Sequence, residues 1–218
     1  MQLVIGFGTG RCGTGSFAAL LGGHPGAVGY HEYDVLPWEF DLLKYYSITQ
    51  RLTKMGFDMV VDAGFYWLNY LERLIEDYPD VKAVCLQKDA GTIVDSYMDR
   101  SLGDKGYNFW TKKDSSHWNS NKCFVGSWPQ YDLPKREALG QYWKEYTDKA
   151  WTLEKTYPDN VLICSTGYVL NMERFQVKML DFIGIPREEQ RLNVGIRSDN
   201  KVTKGESHGL EYRGRTGG

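Results

Sequence analysis

The alternation of short apolar runs with amphipathic stretches predicts an α/β fold in three layers, a central parallel sheet of about five strands with helices on both faces. Three observations carry that expectation. Apolar runs of strand length recur near 2–7, 27–31, 58–63, 81–87 and 160–165. The stretches between them have helical period, as at 65–78, where Phe65, Leu68, Leu71, Leu74, Ile75 and Tyr78 fall on one face. A glycine-rich turn, "GTGRCGTGS" from Gly8 to Ser16, joins the first run to the first helix.

Taken in order, the strand at 2–7 leads through that turn to a helix at about 14–22, a short strand near 27–31 and a helix at about 37–55. "DMVVDA" (58–63), the helix at 65–78, "VKAVCLQ" (81–87) and a helix at about 90–101 continue the pattern. The segment 102–135, rich in Gly, Ser, Asn, Lys and aromatics, is too long for an ordinary connection and reads as a lid or acceptor-side insertion. A helix near 136–157, the strand "NVLICS" (160–165) and a helix near 171–183, closed by Gly184 and Pro186, complete a single domain over 1–205. Residues 206–218, rich in Gly and Arg, read as a flexible tail.

The 218 residues carry a formal charge of −2, which offers no bulk attraction to nucleic acid or an anionic membrane, so a basic site must be local. No apolar run approaches the roughly 18 residues of a spanning helix, and no basic segment precedes the first strand, so a soluble, cytoplasmic protein is expected. Cys12, Cys85, Cys123 and Cys164 lie far apart without a C-x-x-C pair, which excludes a zinc or disulfide framework. No metal ligand set is expected; His117 and Cys123 lack the spacing.

The glycine turn predicts an anion site, because backbone N–H groups and the positive end of a helix dipole converge there. Its ligand is open at this level. Gly8, Gly10 and Gly13 match the G-x-G-x-x-G dinucleotide pattern, and Glu32 lies about 20 residues on, where such a site wants an acid for the ribose. That admits an NAD(P)-dependent oxidoreductase. Gly8-x4-Gly13-Thr14 has P-loop spacing but lacks the lysine, and a phosphatase loop built on Cys12 would need arginine where Ala18 stands. The basic residue is Arg11, ahead of the glycine pair and able to fork onto two oxygens of a phosphate or sulfate.

At this point the chain resembles the sulfotransferases that use 3′-phosphoadenosine 5′-phosphosulfate. "GTGRCGTGSFAALLGGHPG" is similar to their 5′-phosphosulfate loop, in which a basic residue precedes Ser-Gly-Thr-Thr: Arg11, Gly13 and Thr14 match, while Cys12 and Gly15 depart. "VKAVCLQKDAGTIVDSYMDRS" is similar to their 3′-phosphate segment, with Lys88 in place of the arginine and Ser96 eight residues later. "VLICSTGYVLNMERFQVKMLDFIGIP" and "NVG" (193–195) resemble later elements, and Asp62-Ala63-Gly64 stands where the family often has a lysine and a proline.

The resemblance implies a P-loop NTPase-like sulfotransferase fold and in-line transfer of a sulfuryl group to a hydroxyl or amine of a small-molecule, glycan or peptide acceptor, without a metal. It implies that the backbone of Arg11, Cys12, Gly13, Thr14, Gly15 and Ser16 holds the 5′-phosphosulfate, with Arg11 neutralising the leaving oxygen. Lys88 and Ser96 would grip the 3′-phosphate, and Arg197, Lys201 and Lys204 would close over the nucleotide unless they are a solvated charge cluster. Glu32 is the implied base, as in the tyrosylprotein members, with His31 as competitor; neighbours on a strand point to opposite faces, so one of the two is expected to reach the site. Tyr107, Phe109, Trp110, Trp118, Trp128 and Tyr131 either wall an aromatic or sugar acceptor or pin the long segment to its domain. A nucleotide-binding module without turnover also fits the glycine turn.

Overall fold

A computed structural model describes residues 1–103, 108–111, 126–198 and 201–204. It is an α/β fold whose sheet has six strands in the order β5-β4-β1-β3-β2-β6. These are β1 (Gln2–Phe7), β2 (Ala27–His31), β3 (Met59–Ala63), β4 (Lys82–Gln87), β5 (Val161–Ser165) and β6 (Val202–Lys204). The first five are parallel, as the sequence pattern predicts, and β6 runs antiparallel along β2. β6 is an addition to the expected five strands. Its three residues have no pattern of their own, and they become a strand because β2 offers an open edge.

The helices are α1 (Thr14–Gly22), α2 (Leu42–Thr53), α3 (Leu71–Asp77), α4 (Ala90–Arg100), α5 (Lys135–Thr156), α6 (Thr166–Asn171) and α7 (Glu173–Ile183). Three expected spans change. The helix expected from residue 37 starts at Leu42, because Asp41 caps it by accepting from the Lys44 amide. The one expected over 65–78 divides into a 3-10 turn, Phe65–Asn69, and α3. The last one begins earlier, as α6, and restarts as α7 beyond Met172, which is extended at φ −135°.

β1 occupies the middle of the sheet and is buried from Leu3 to Phe7. Its two faces meet different helices. Gly6 faces α1 so closely that a Cβ there would lie 2.5 Å from Phe17, and one on Gly29 of β2 would lie 2.0 Å from the Ala18 carbonyl oxygen. Helix α1 thus rests on the sheet backbone. On the opposite face Phe7 meets Tyr146 of α5, with ring centroids 6.4 Å apart. The buried stripe of α5 (Ala138, Leu139, Tyr142, Tyr146, Ala150, Leu153) repeats every three or four residues, as a sheet-covering helix requires. Among the described residues no helix is long and apolar enough to cross a membrane.

Candidate functional site

The carboxyl ends of β1, β2, β3 and β4 converge on the turn from Gly8 to Gly13. That turn is built from positive φ angles: 80° at Gly10, 56° at Arg11 and 95° at Gly13. Its carbonyls are taken up by side chains from three helices and from the end of β4. The Tyr97 and Tyr142 hydroxyls donate to the Thr9 oxygen at 2.7 and 3.0 Å, and the Thr166 hydroxyl donates to the Cys12 oxygen at 2.8 Å. Lys88 Nζ donates to the Arg11 oxygen at 3.4 Å. The N-terminus of α1, by contrast, has no side-chain cap on Gly13 and no acidic residue in its first turn. Its leading amides have no intrahelical acceptor, so the turn presents a positive pole to an anion.

Two hydroxyls of this region are buried and already engaged. Thr14 Oγ1 lies 3.2 Å from His31 Nε2, and Ser16 Oγ accepts from the Ser198 amide at 3.2 Å. Gly15 lies between them. A Cβ there would lie 2.8 Å from the Ser198 oxygen and 3.2 Å from His31 Nδ1. The His31 ring and the late segment therefore fill the space that a threonine side chain would take, which accounts for this glycine. Cys12 is fully buried, and burial pushes its thiol up to about 11 against the pull of the loop amides and Lys88. Its neutral side chain belongs to the core and its backbone to the loop.

Arg11 Nε donates to Ser96 Oγ of α4 at 3.2 Å. Beside this contact runs an open groove of about 670 Å³ lined by Arg11, Thr92, Asp95, Ser96, Asp99, Arg100 and Leu102. Lys88 is turned instead to the loop carbonyl, and its own carbonyl accepts from the Trp143 indole at 3.0 Å. Helix α4 starts cleanly because Asp89 accepts from both the amide and the hydroxyl of Thr92, at 2.8 and 2.6 Å.

At the end of β2 the expected alternation fails. Glu32 adopts φ 56°, in the left-handed region, so the chain turns there and the strand alternation does not continue through it. His31 Nε2 lies 4.0 Å from Glu32 Oε1, and Lys201 Nζ donates to Glu32 Oε2 at 2.8 Å. Thr14, His31, Glu32 and Lys201 thus form one polar chain across the sheet edge.

Beneath that chain lies Asp62, which enters the sequence reading only as a departure from a family pattern. It is fully buried in β3 and accepts three bonds, from the Tyr33 amide at 3.0 Å, the Tyr66 hydroxyl at 2.7 Å and the Trp67 indole at 2.8 Å. Burial pushes its carboxyl up to about 6, the three donors oppose that rise, and the Glu32 charge adds to it. Asp62 holds the backbone just past Glu32. Its signal in the sequence is a lone carboxylate in an otherwise apolar strand.

The late basic residues are dispersed. Lys201 reaches Glu32, whereas Arg197 donates to Asn171 Oδ1 at 2.9 Å, at the end of α6. Lys204 pairs in register with Val28 and lies 5.9 Å from the Phe57 ring, on the amino half of β2 and away from the turn. Trp110 and Trp128 are buried. Trp128 stacks on Phe65 at 3.7 Å and both tryptophans pack edgewise on Tyr97, so these two pin their segment to the core. Tyr131 is half-buried, its hydroxyl donating to Glu145 at 2.7 Å. Tyr107, His117, Trp118, Cys123 and the tail 206–218 lie outside the described residues.

No family model and no curated protein matches the chain. Among solved structures it is similar to a sulfotransferase from Alicyclobacillus acidocaldarius, at 16% identity and a TM-score of 0.49, over 85% of this chain and 82% of that one.

Proposed function

We propose that the chain binds 3′-phosphoadenosine 5′-phosphosulfate and transfers its sulfuryl group to a hydroxyl or amine acceptor. The observation that carries this reading is the position of Arg11, in the turn just ahead of Gly13 at the uncapped start of α1 and 3.2 Å from Ser96 in the α4 groove. A nucleotide bearing anions at both its 5′ and 3′ positions matches two such sites joined by one guanidinium. The strand order weighs against the nicotinamide reading. Here β1 pairs with β3 and β4, whereas doubly wound dinucleotide folds place the strand that carries the ribose-binding acid beside the first strand.

In this reading the amides opening α1 hold the 5′-phosphosulfate and Arg11 moves from Ser96 to the bridging oxygen as charge develops there. The acceptor oxygen or nitrogen attacks sulfur in line. A new bond to sulfur forms, the bond to the bridging phosphate oxygen breaks, and the acceptor proton passes to Glu32. Lys201 holds the carboxylate, and His31 lies between it and Thr14. The products are the sulfated acceptor and adenosine 3′,5′-bisphosphate.

Thermal shift with the bisphosphate, NAD(P)H and ATP separates the readings. Stabilisation by the bisphosphate supports this one; stabilisation by a nicotinamide nucleotide alone overturns it. Transfer assays with Arg11→Ala then distinguish an enzyme, which loses turnover, from a module that has none to lose.

A further inference from the structure

We infer that Arg100, a residue given no role in the readings above, supplies a guanidinium to the 3′-phosphate of the nucleotide. This rests on the proposed nucleotide reading. Thr92, Ser96 and Arg100 are spaced four residues apart on α4 and so share one face, and all three line the groove that Arg11 closes from the other side. The Thr92 hydroxyl is held by Asp89, so the groove offers a ligand the Ser96 hydroxyl and the Arg100 guanidinium, with Arg11 at its edge, donors suited to a phosphate monoester. Lys88, the expected partner of that phosphate, donates to the Arg11 carbonyl and does not line the groove.

Just past the end of α4 the Ser101 and Gly103 oxygens accept from the buried ammonium of Lys135, at 3.2 and 2.5 Å, and not from Arg100. Among the described residues Arg100 has no ion pair. Of the two carboxylates in the groove, Asp95 is bridged by Arg136 at 2.8 Å, which leaves two guanidinium groups against the single charge of Asp99. The groove therefore keeps a net positive charge, which favours a phosphate.

The test is calorimetric titration of wild type, Arg100→Ala and Arg100→Lys with adenosine 3′,5′-bisphosphate and with adenosine 5′-monophosphate. Wild type prefers the bisphosphate. Arg100→Ala weakens it about tenfold or more while leaving the monophosphate within about twofold, and Arg100→Lys recovers part of the loss, because a point charge replaces a fork. Unchanged monophosphate affinity also shows that the variant is folded. Equal losses for both ligands, or an undiminished preference in Arg100→Ala, overturn the assignment while leaving the nucleotide reading intact. Wild type that binds neither nucleotide overturns both.

Discussion

Lys201 and Glu32, 169 residues apart in sequence, meet at 2.8 Å and tie the last strand of the sheet to the residue proposed as base. The pair fixes the carboxylate whose backbone sits in the left-handed region at φ 56°. Such a conformation costs on the order of 1 kcal/mol or more in a residue with a side chain, so its surroundings must hold it. The backbone does part of this, the Glu32 amide donating to the Ala63 oxygen at 2.9 Å and the Tyr33 amide to Asp62.

The ion pair is expected to act on turnover and not on stability. The Lys201 side chain is 64% exposed, and exposed pairs contribute little to folding. Lys201→Met should leave the melting temperature nearly unchanged and lower kcat, while Glu32→Gln should lower kcat by about 100-fold or more with bisphosphate affinity retained. Normal turnover in Glu32→Gln together with inactivity in His31→Ala would transfer the base to His31.

Placing at position 15 the threonine of the sulfotransferase loop that the sequence resembles should do harm. In Gly15→Thr the new Cβ presses on the Ser198 oxygen and the His31 ring, at 2.8 and 3.2 Å before any adjustment. A loss of about 1–3 kcal/mol is expected from overpacking, with faster amide exchange at 196–198. Chemical denaturation and hydrogen exchange measure the two effects. A neutral or stabilising Gly15→Thr would show that His31 does not hold this space.

Asp62 should give stability a pH dependence of unusual sign. Its folded-state pKa of about 6 lies above the value near 4 of an unfolded aspartate, so the folded protein binds the proton more tightly. The contribution is therefore complete below about pH 4 and falls as pH rises to about 6, by a few kcal/mol at most. The stability of wild type relative to Asp62→Asn should decline across that window and be flat above it. Asparagine cannot reproduce an acceptor that serves three donors, so Asp62→Asn should also be destabilised at neutral pH.

His24 should behave oppositely. Its ring Nδ1 lies 3.2 Å from the Leu20 and Leu21 oxygens, and Nε2 accepts from the Arg191 amide at 3.1 Å, an arrangement that requires the neutral ring. Burial lowers its pKa, and the Arg191 charge adds to the effect. This stabilisation is present above the unfolded value near 6.5 and is lost as pH falls through the lower folded value. Exchange of the Arg191 amide should accelerate in mild acid, and His24→Ala should remove that dependence.

Much of the fold was legible because parallel strands buried on both faces read as apolar runs, and β1 to β5 fall where those runs lie. β6 was illegible because its pairing partner, not its own residues, makes it a strand. The glycine turn announced itself through residues whose backbone angles few others adopt, whereas Ser96 entered through the resemblance as the partner of Lys88, and its contact with Arg11 was not expected. What spacing cannot show is a turn made by an ordinary residue, as at Glu32, whose left-handed backbone ends the alternation of β2 and leaves its carboxylate 4.0 Å from His31. Lys204, read as part of one basic cluster with Lys201, was carried to the other end of β2 by the antiparallel register. Arg100 lies in the segment 81–101 but had no role there, and entered through the shape of the groove.

The central claim is that one nucleotide spans the start of α1 and the α4 groove. A crystal structure with adenosine 3′,5′-bisphosphate tests it most directly. The account predicts the 5′-phosphate on the amides opening α1 beside Arg11, and the 3′-phosphate against Ser96 and Arg100. A nucleotide seated elsewhere, or one whose 3′-phosphate lies away from Ser96, would contradict it.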